Sequence, residues 1–562
     1  MARLPLHPAA NNNNGPIPDG RSSPSQSTLP PSPAAMSIMS FSTVATMMAT
    51  AAILLLYVVS TAVYRLFLSP IAKFPGPRLA ALTFWYEFYY DVILRGQYTF
   101  HIRTLHDKYG PIIRINPYEL HISDSTYYDE LYASSASGEK RDKWEWYTKQ
   151  FGTPEAMFST IGHDQHKARR AALNRFFSMA SVRRLQPIIE ERVQALVQRL
   201  RASKDTQAGV IKVDYAFAAF TNDVVMEYAY GRSDHRVDQE DFGPDYHDAV
   251  LEAGKTAGLL KQMIWIFHLM QSLPEWLAVL LSPSFDLVLR IQRQIEQQIA
   301  QIKAQPRSTY SDLDHPTLFH EILQSNLPES DKSVSRLKDE AAIVVGAGTL
   351  TTSWALSVAT YHLLASPRIL AKLKAELKIA IPDPDATVAL PVLEKLPYLL
   401  SVVQEAIRLS YGVASRLQRI SPENTLAFRD SSSGKEWSIP PNTPVGMTSV
   451  LIHQDESIFS DATLFMPERW IENPRLDRYL VSFSKGSRQC LGINLAYAEM
   501  YLCLAAIFSR FGSGGENGVR TPEDEGVLEL FETGPRDVEV AADGFVPLAA
   551  EGSPGVRIRV KS

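Results

Sequence analysis

The pattern of apolar and polar positions divides the chain into a polar leader, one unbroken apolar span and a long mixed body. From Ala10 to Pro33 the chain is rich in Asn, Pro and Ser and carries too few apolar side chains to build a core, so residues 1–35 are expected to be disordered. Met36 and Met39 follow directly, which makes Met36 an alternative start of translation. No residue between Ser22 and Tyr64 is charged, and residues 42–64 supply the roughly 20 apolar positions that a membrane-crossing helix needs. Arg65, Lys73 and Arg78 come next and place the bulk of the chain on the cytosolic side of a single anchor. A cleaved signal peptide fits less well, because the apolar stretch is long and no secreted-type cysteine pattern follows. Phe74-Pro75-Gly76-Pro77 cannot continue a helix, so residues 65–77 are expected to form a basic, proline-containing hinge before a body covering residues 78–562.

Within that body, helical periodicity dominates from Ala168 to Ile379, and strand-like runs such as Ile112–Ile115 and Val556–Val560 are short. With no second linker and no repeat, the pattern predicts one mainly helical domain with small sheets. Ala341–Ala365 contains no Asp, Glu, Lys or Arg in 25 positions, which fits either a second membrane span or a buried central helix. Gly346, Gly348, Thr349, Thr351, Thr352 and Ser353 crowd its middle and favour a buried helix opened locally toward a ligand. The apolar stretch Leu259–Leu281 is too broken to span a bilayer; it reads as a segment dipping into the membrane surface or as ordinary helix packing. The glycines from Gly512 to Gly518 follow a helix rather than a strand and mark a loop, not a dinucleotide cradle.

Composition narrows the chemistry. A formal net charge of -5, from 56 basic and 61 acidic residues, provides no basic excess for a nucleic-acid backbone. Two cysteines in 562 residues fit a reducing compartment and build neither a zinc site nor a disulfide framework. One of them, Cys490, lies in Phe483-Ser-Lys-Gly486-Ser-Arg488-Gln-Cys490-Leu-Gly492, ahead of a helix expected from Leu491. Gly486 and Gly492 allow backbone to approach a flat cofactor, Arg488 can pair with a carboxylate, and the helix points its positive end at the sulfur, so the loop reads as a thiolate ligand. Cys503, in the apolar run Leu491–Phe511, reads as core.

Residue by residue, this loop resembles the haem-binding signature of the cytochrome P-450 superfamily, with Phe483, Gly486, Arg488, Cys490 and Gly492 at every fixed position. The resemblance runs from about Phe74 to the end. It implies a P-450 fold, with haem b held between a long central helix and the Cys490 loop, Cys490 being the axial ligand of the iron. Ala347-Gly348-Thr349-Leu350-Thr351-Thr352 is similar to the family's oxygen-binding helix motif, which gives Gly348 and Thr351 catalytic positions. Leu350 departs from the motif, since the family has an acid there. Glu405, Arg408 and Arg469, the last in Phe465-Met-Pro-Glu-Arg469-Trp470, resemble the family's buried Glu-Arg-Arg network. His166 and Arg170 stand four residues apart at the start of a helix, where the family recognises haem propionates; a metal site is the sharper alternative. Arg416 and Arg419 are further propionate candidates, Arg419 fitting the family spacing better.

The stretch Lys143-Trp144-Glu-Trp146-Tyr through Phe158 is similar to fungal microsomal secondary-metabolism members of the trichodiene-oxygenase type. The resemblance therefore implies a monooxygenase that inserts one atom of dioxygen into a lipophilic small molecule, a terpenoid or polyketide intermediate. Its residence would be the endoplasmic reticulum membrane, and its electrons would come from NADPH through a separate reductase, with a b-type cytochrome as a further partner. Pocket candidates are Phe158, Ala347, Val413 and Phe545. Two other classes remain open: a haem-thiolate isomerase or dehydratase needing no reductase, which Leu350 favours, and a membrane haem sensor, which Thr351 disfavours.

Overall fold

The computed structural model describes residues 33–206, 209–281, 284–305, 316–431, 433–515 and 517–562. It divides into two units, Met1–Tyr64 and Arg65–Ser562. In the first, a helix covers Pro33–Val63. It therefore begins inside the stretch expected to be disordered, because Pro33 presets the first turn and Ala34, Ala35 and Met36 favour its continuation. The remainder of the leader, residues 1–32, lies outside the described residues. None of the apolar window within Thr43–Leu68 is buried.

In the second unit, residues 65–77 do not form a separate hinge. Ile71 and Phe74 are buried in a core they share with Ile112, Leu120 and Ile439. Arg114 N–H donates to the Pro75 carbonyl at 2.7 Å, and a Cβ at Gly76 would stand 2.3 Å from the Arg114 carbonyl oxygen. Glycine is what allows that approach, and it fastens the segment to the body.

The central helix spans Val334–Ala365. Ser333 caps it, accepting from the Arg336 N–H at 3.2 Å, and Pro367 prevents its continuation. Its apolar window is 56% buried, against 0% for the N-terminal one, so it is a core helix rather than a second span. It crosses the helix Val213–Tyr230 closely: a Cβ at Gly348 would lie 2.9 Å from Val225 Cγ2. Thr221 Oγ1 donates to the Thr349 carbonyl at 2.9 Å, and Asn222 Nδ2 to Thr349 Oγ1 at 3.1 Å. The hydroxyls of Thr349 and Thr351 donate to the carbonyls of Val345 and Ala347, each at 2.8 Å. The helix is continuous through these residues, so its hydroxyls are absorbed by its own backbone.

The expected small sheets are present. Ile112–Arg114, Leu120–Ile122 and Val445–Gly446 form one, with Ile113 opposite His121 and Leu120 beside Val445. Val210–Lys212, Arg557–Lys561, Gly526–Leu530 and Phe511–Ser513 form another, with Ile558 opposite Ile211 and Arg559 opposite Glu529. A hairpin, Ala542–Gly544 with Val546–Leu548, carries Phe545 at its tip. Leu259–Leu281 resolves into the end of the helix Pro244–Gln262 followed by the short helices Ile264–Ser272 and Glu275–Leu281, on which Trp265, Leu269, Trp276, Leu280 and Leu281 are exposed.

Candidate haem-binding site

The cysteine loop is closed by its own backbone, Cys490 N–H donating to the Phe483 carbonyl at 2.8 Å. Phe483 stands against Tyr497 of the following helix, ring centroids 5.6 Å apart. Gly486 has φ +74°, and a Cβ there would stand 2.2 Å from the Tyr132 oxygen and 2.3 Å from that of Ala133. A side chain there would collide with that backbone, so glycine is what permits the crossing. Gly492 is the residue with open space around its missing Cβ, and it caps the helix Ile493–Arg510, which starts two residues later than the expected Leu491. Burial pushes the Cys490 thiol up, against the opposing pull of the Gly492 N–H and Arg170. The loop and helix end thus do not offset burial at the sulfur; a bound metal ion would pull the thiol down.

Two inner surfaces are open to a ligand. Cys490 is exposed although protein surrounds it. Ala347 is also exposed, with Val344 and Thr351 half-buried, while Val345, Thr349 and Leu350 between them and Thr352 beyond are buried. Spacings of three and four residues put Val344, Ala347 and Thr351 on one stripe of the central helix. At Gly348 a side chain would collide with Val225, so the glycine permits the close packing of the two helices there. The helix after Cys490 meets the central helix through Glu499 and Thr352.

Around the loop stands a group of buried bases. Arg488 donates to the carbonyls of Arg141 (3.1 Å), Thr160 (2.7 Å) and Ile161. Arg170 donates to the carbonyl of Gln489 at 2.5 Å. Arg419 donates to the carbonyls of Leu417 and Gln418, and its guanidinium lies 4.8 Å from the centre of the Tyr132 ring. Lys143 donates to the Phe158 carbonyl. Among the described residues none of these side chains, nor His166, makes an ion pair with a carboxylate; Asp142 acts on Arg488 only through its field. The consequence is mutual depression: burial and Arg419 bring Arg488 down to about 9, and burial with Arg488 and Arg419 takes Lys143 far below the lysine range. Burial, Arg488, Lys143, Arg170 and Arg419 bring His166 to about 2, leaving it a neutral imidazole. Buried cations without anions are costly, and a ligand carrying carboxylates fits this rim. Lys143 was not singled out as a site residue in the sequence, where it reads as one charge in an aromatic run.

Arg416 belongs elsewhere. It pairs with Glu87 at 2.7 Å and Glu119 at 3.1 Å, while Lys261 pairs with Glu87 at 2.6 Å and Asp91 at 2.9 Å. Of the two arginines considered, Arg419 is thus the one at the rim. The metal alternative at His166 has no support, since among the described residues no group of three His, Cys, Asp or Glu could hold an ion.

The expected Glu-Arg-Arg network is assembled. Glu405 Oε1 accepts from Arg408 Nη2 at 2.7 Å and Arg469 Nε at 3.1 Å, and Oε2 accepts from Arg408 Nε at 2.9 Å. Trp470 Nε1 adds a bond at 2.9 Å that the sequence did not announce. The network reaches the cysteine loop through Ile407, whose carbonyl accepts from Ser482 Oγ at 2.7 Å.

Glu499 was likewise missed. It is buried in the helix after Cys490, hydrogen-bonds with Thr352, keeps Oε1 without a partner and has its carboxyl pushed far up by burial. Its signal was a lone acid within the apolar run Leu491–Phe511.

A mainly helical body with an open thiol beside a central helix, rimmed by unpaired bases, has the features of a haem-thiolate oxygenase. The Cytochrome P450 family model matches residues 75–530, and the chain belongs to that family. It is 51% identical over 499 residues to the cytochrome P450 monooxygenase tpcC of Cochliobolus heterostrophus, covering 89% of this chain and 94% of that one. It is 48% identical over 510 residues to the cytochrome P450 monooxygenase astB of Talaromyces wortmannii, covering 90% and 96%. To the tryptophan 6-hydroxylase fscE of Fusarium equiseti it is 39% identical over 506 residues, covering 89% and 94%. The chain is a cytochrome P450 monooxygenase, and its cofactor is thiolate-ligated haem.

Proposed function

We propose that the protein inserts one atom of dioxygen into an uncharged lipophilic intermediate of fungal secondary metabolism, with Cys490 as the axial ligand of the haem iron. The observation that carries this reading is the exposed thiol of Cys490 at the head of a helix that packs against the central helix, which carries Val344, Ala347 and Thr351. Thiolate-ligated haem activates dioxygen toward unactivated carbon when reduced. The chain's own residues supply the rest. Arg488, Arg419, Lys143, Arg170 and neutral His166 would hold the carboxylates of the haem, and the space beside Gly492 would leave room for it. Thr351 stands on the open stripe with its hydroxyl oxygen able to accept a proton while it donates to Ala347. Glu499, whose carboxyl burial pushes far up and which lies one hydrogen bond from Thr352, would take the place of the acid missing at Leu350.

Overall, substrate, dioxygen, NADPH and a proton become hydroxylated or epoxidised product, water and NADP+, the electrons arriving through a separate reductase. The exposed apolar window of Thr43–Leu68 supports a single-pass anchor in the endoplasmic reticulum, and exposed Trp265, Trp276 and Leu280 support a second contact with the bilayer surface. Incubation of the full chain with an NADPH-dependent reductase, a fungal metabolite extract and isotopically labelled dioxygen tests the reading. One labelled atom per product supports it; reductase-independent turnover without label contradicts it.

A further inference from the structure

A cavity of about 1090 Å³ lies between the helix Pro244–Gln262, the hairpin at 542–548 and one face of the central helix. Leu350, Trp354 and Ser357, at spacings of four and three residues, form its central-helix wall. That wall is a different face from the one carrying Val344, Ala347 and Thr351. Among the described residues, Cys490, Arg488, Ala347, Thr351 and Phe158 take no part in lining the cavity, so it does not belong to the haem site. Beside it a Cβ at Gly254 would stand 2.7 Å from the Gly544 carbonyl oxygen, so closely do helix and hairpin meet there.

Three lining side chains carry a buried polar atom without a hydrogen-bond partner among the described residues: Asp214 Oδ1, Ser357 Oγ and Trp354 Nε1. Asp214 is 9% exposed and Ser357 0%. Only one oxygen of Asp214 is served, Oδ2 accepting from the Val556 N–H at 2.9 Å. Burial pushes this carboxyl up, against the pull of Ser357, Lys212 and His247. Trp354 and Ser357 are one turn apart and Ser357 acts directly on Asp214, so the three polar groups are neighbours. Interior polar groups left unserved are costly, and a buried indole N–H ordinarily finds an acceptor; a ligand with a polar group of its own relieves that cost.

Most other charges around the cavity are already matched. Lys255 pairs with Glu252 at 2.5 Å, Asp91 with Lys261 at 2.9 Å, and Arg95 with Glu551. Asp543 accepts from Thr99 and Ser415, each at 2.6 Å, and the Lys212 ammonium rests 3.8 Å from the centre of the Tyr215 ring. An anionic ligand would meet Asp214, and a cationic one would meet Lys212, so neither sign of charge is favoured. A hydroxyl accepts from the Trp354 N–H and Ser357 O–H and donates to Asp214 Oδ1. We infer that this cavity is a second small-molecule site, for an uncharged alcohol on an apolar skeleton. Trp354, Ser357 and Asp214 hold the hydroxyl, and Leu251, Val546 and Leu548 line the space for the carbon frame. The site takes its ligand independently of the haem side.

The test uses haem-loaded full-length protein with an azole saturating the iron, so that the haem side is filled. Binding of 1-adamantanol, adamantane-1-carboxylate and 1-adamantylammonium is then measured by equilibrium dialysis at neutral pH. One equivalent of the alcohol is expected to bind, at least about tenfold more tightly than either charged probe. Ser357→Ala and Trp354→Phe are each expected to weaken it about tenfold, the loss of one hydrogen bond. Ala550→Trp, which adds bulk at a half-buried lining position, is expected to abolish it. The Soret shift caused by the azole should be unchanged in all three variants. No saturable binding of the alcohol beside the azole, equal binding of a charged probe, or wild-type affinity in all three variants would overturn the inference. An azole that fails to shift the Soret band in wild type counts against the haem reading alone, and the three variants then decide this inference without it.

Discussion

Arg488, two residues before the cysteine, donates to the carbonyl of Thr160 at 2.7 Å, so one guanidinium joins the ligand loop to the loop carrying Phe158. The same side chain is the most constrained member of a set of bases that lack carboxylate partners, and its charge is held in place by backbone oxygens. Haem with free propionates is therefore expected to bind this protein far more tightly than its dimethyl ester. A weakening of about a hundredfold corresponds to two charge-assisted contacts, and a competition titration of the haem-free protein measures it. Equal affinity for the two would remove the basic rim from cofactor binding.

A second expectation concerns Glu405, whose carboxylate serves Arg408, Arg469 and Trp470 together. Glu405→Gln leaves two buried arginines without their anion, and a loss of roughly 3 kcal/mol or more follows from stranding such charges. Urea denaturation of the haem-loaded variant reads it. A midpoint unchanged from wild type would show that the carbonyls of His453, Ala462 and Leu464 alone suffice for Arg408.

Much of this arrangement was legible in the chain because it rests on local spacing. The Cys490 loop and the Glu405–Arg408 pair at three residues both follow from residues near one another in sequence. What was misread depends on partners far away. Gly348 and Gly486 read as openings for a ligand, yet each accommodates protein, Val225 in one case and the Tyr132–Ala133 backbone in the other. Residues 65–77 read as a hinge because proline and glycine break helices, and only the distant strand Ile112–Arg114 shows what that break is for. Lys143 and Glu499 were passed over since a charge reveals its isolation only when its surroundings are known.

Proton delivery supplies a third expectation. Thr351→Ala removes the only side-chain hydroxyl on the open stripe formed by Val344, Ala347 and Thr351. Product formed per NADPH consumed is expected to fall by about tenfold or more, with hydrogen peroxide rising in proportion. Coupling should fall in Glu499→Gln as well, in which the amide keeps a hydrogen bond to Thr352 but cannot give up a proton. Unchanged coupling in both variants would exclude this route.

Acid stability is the fourth. Burial holds His453 down at about 3 and His106 at about 4. Free in the unfolded chain, each takes a proton near the ordinary histidine value, so below that value the unfolded state binds more protons than the folded one. Stability is therefore full above about pH 6.5 and falls as the pH drops toward the folded values. At about pH 5, His453 alone contributes a loss of about 2 kcal/mol. Denaturation midpoints measured from neutral to acid pH check the slope, and a flat profile would mean that these imidazoles are reached by water in the folded protein.

The central claim is that Cys490 ligates the iron. The absorbance difference between the reduced protein with and without carbon monoxide, recorded on wild type and on Cys490→Ala, tests it most directly. A strongly red-shifted Soret band in wild type, lost in the variant, is the expected result. The same band persisting in Cys490→Ala would place the ligand elsewhere and contradict the account.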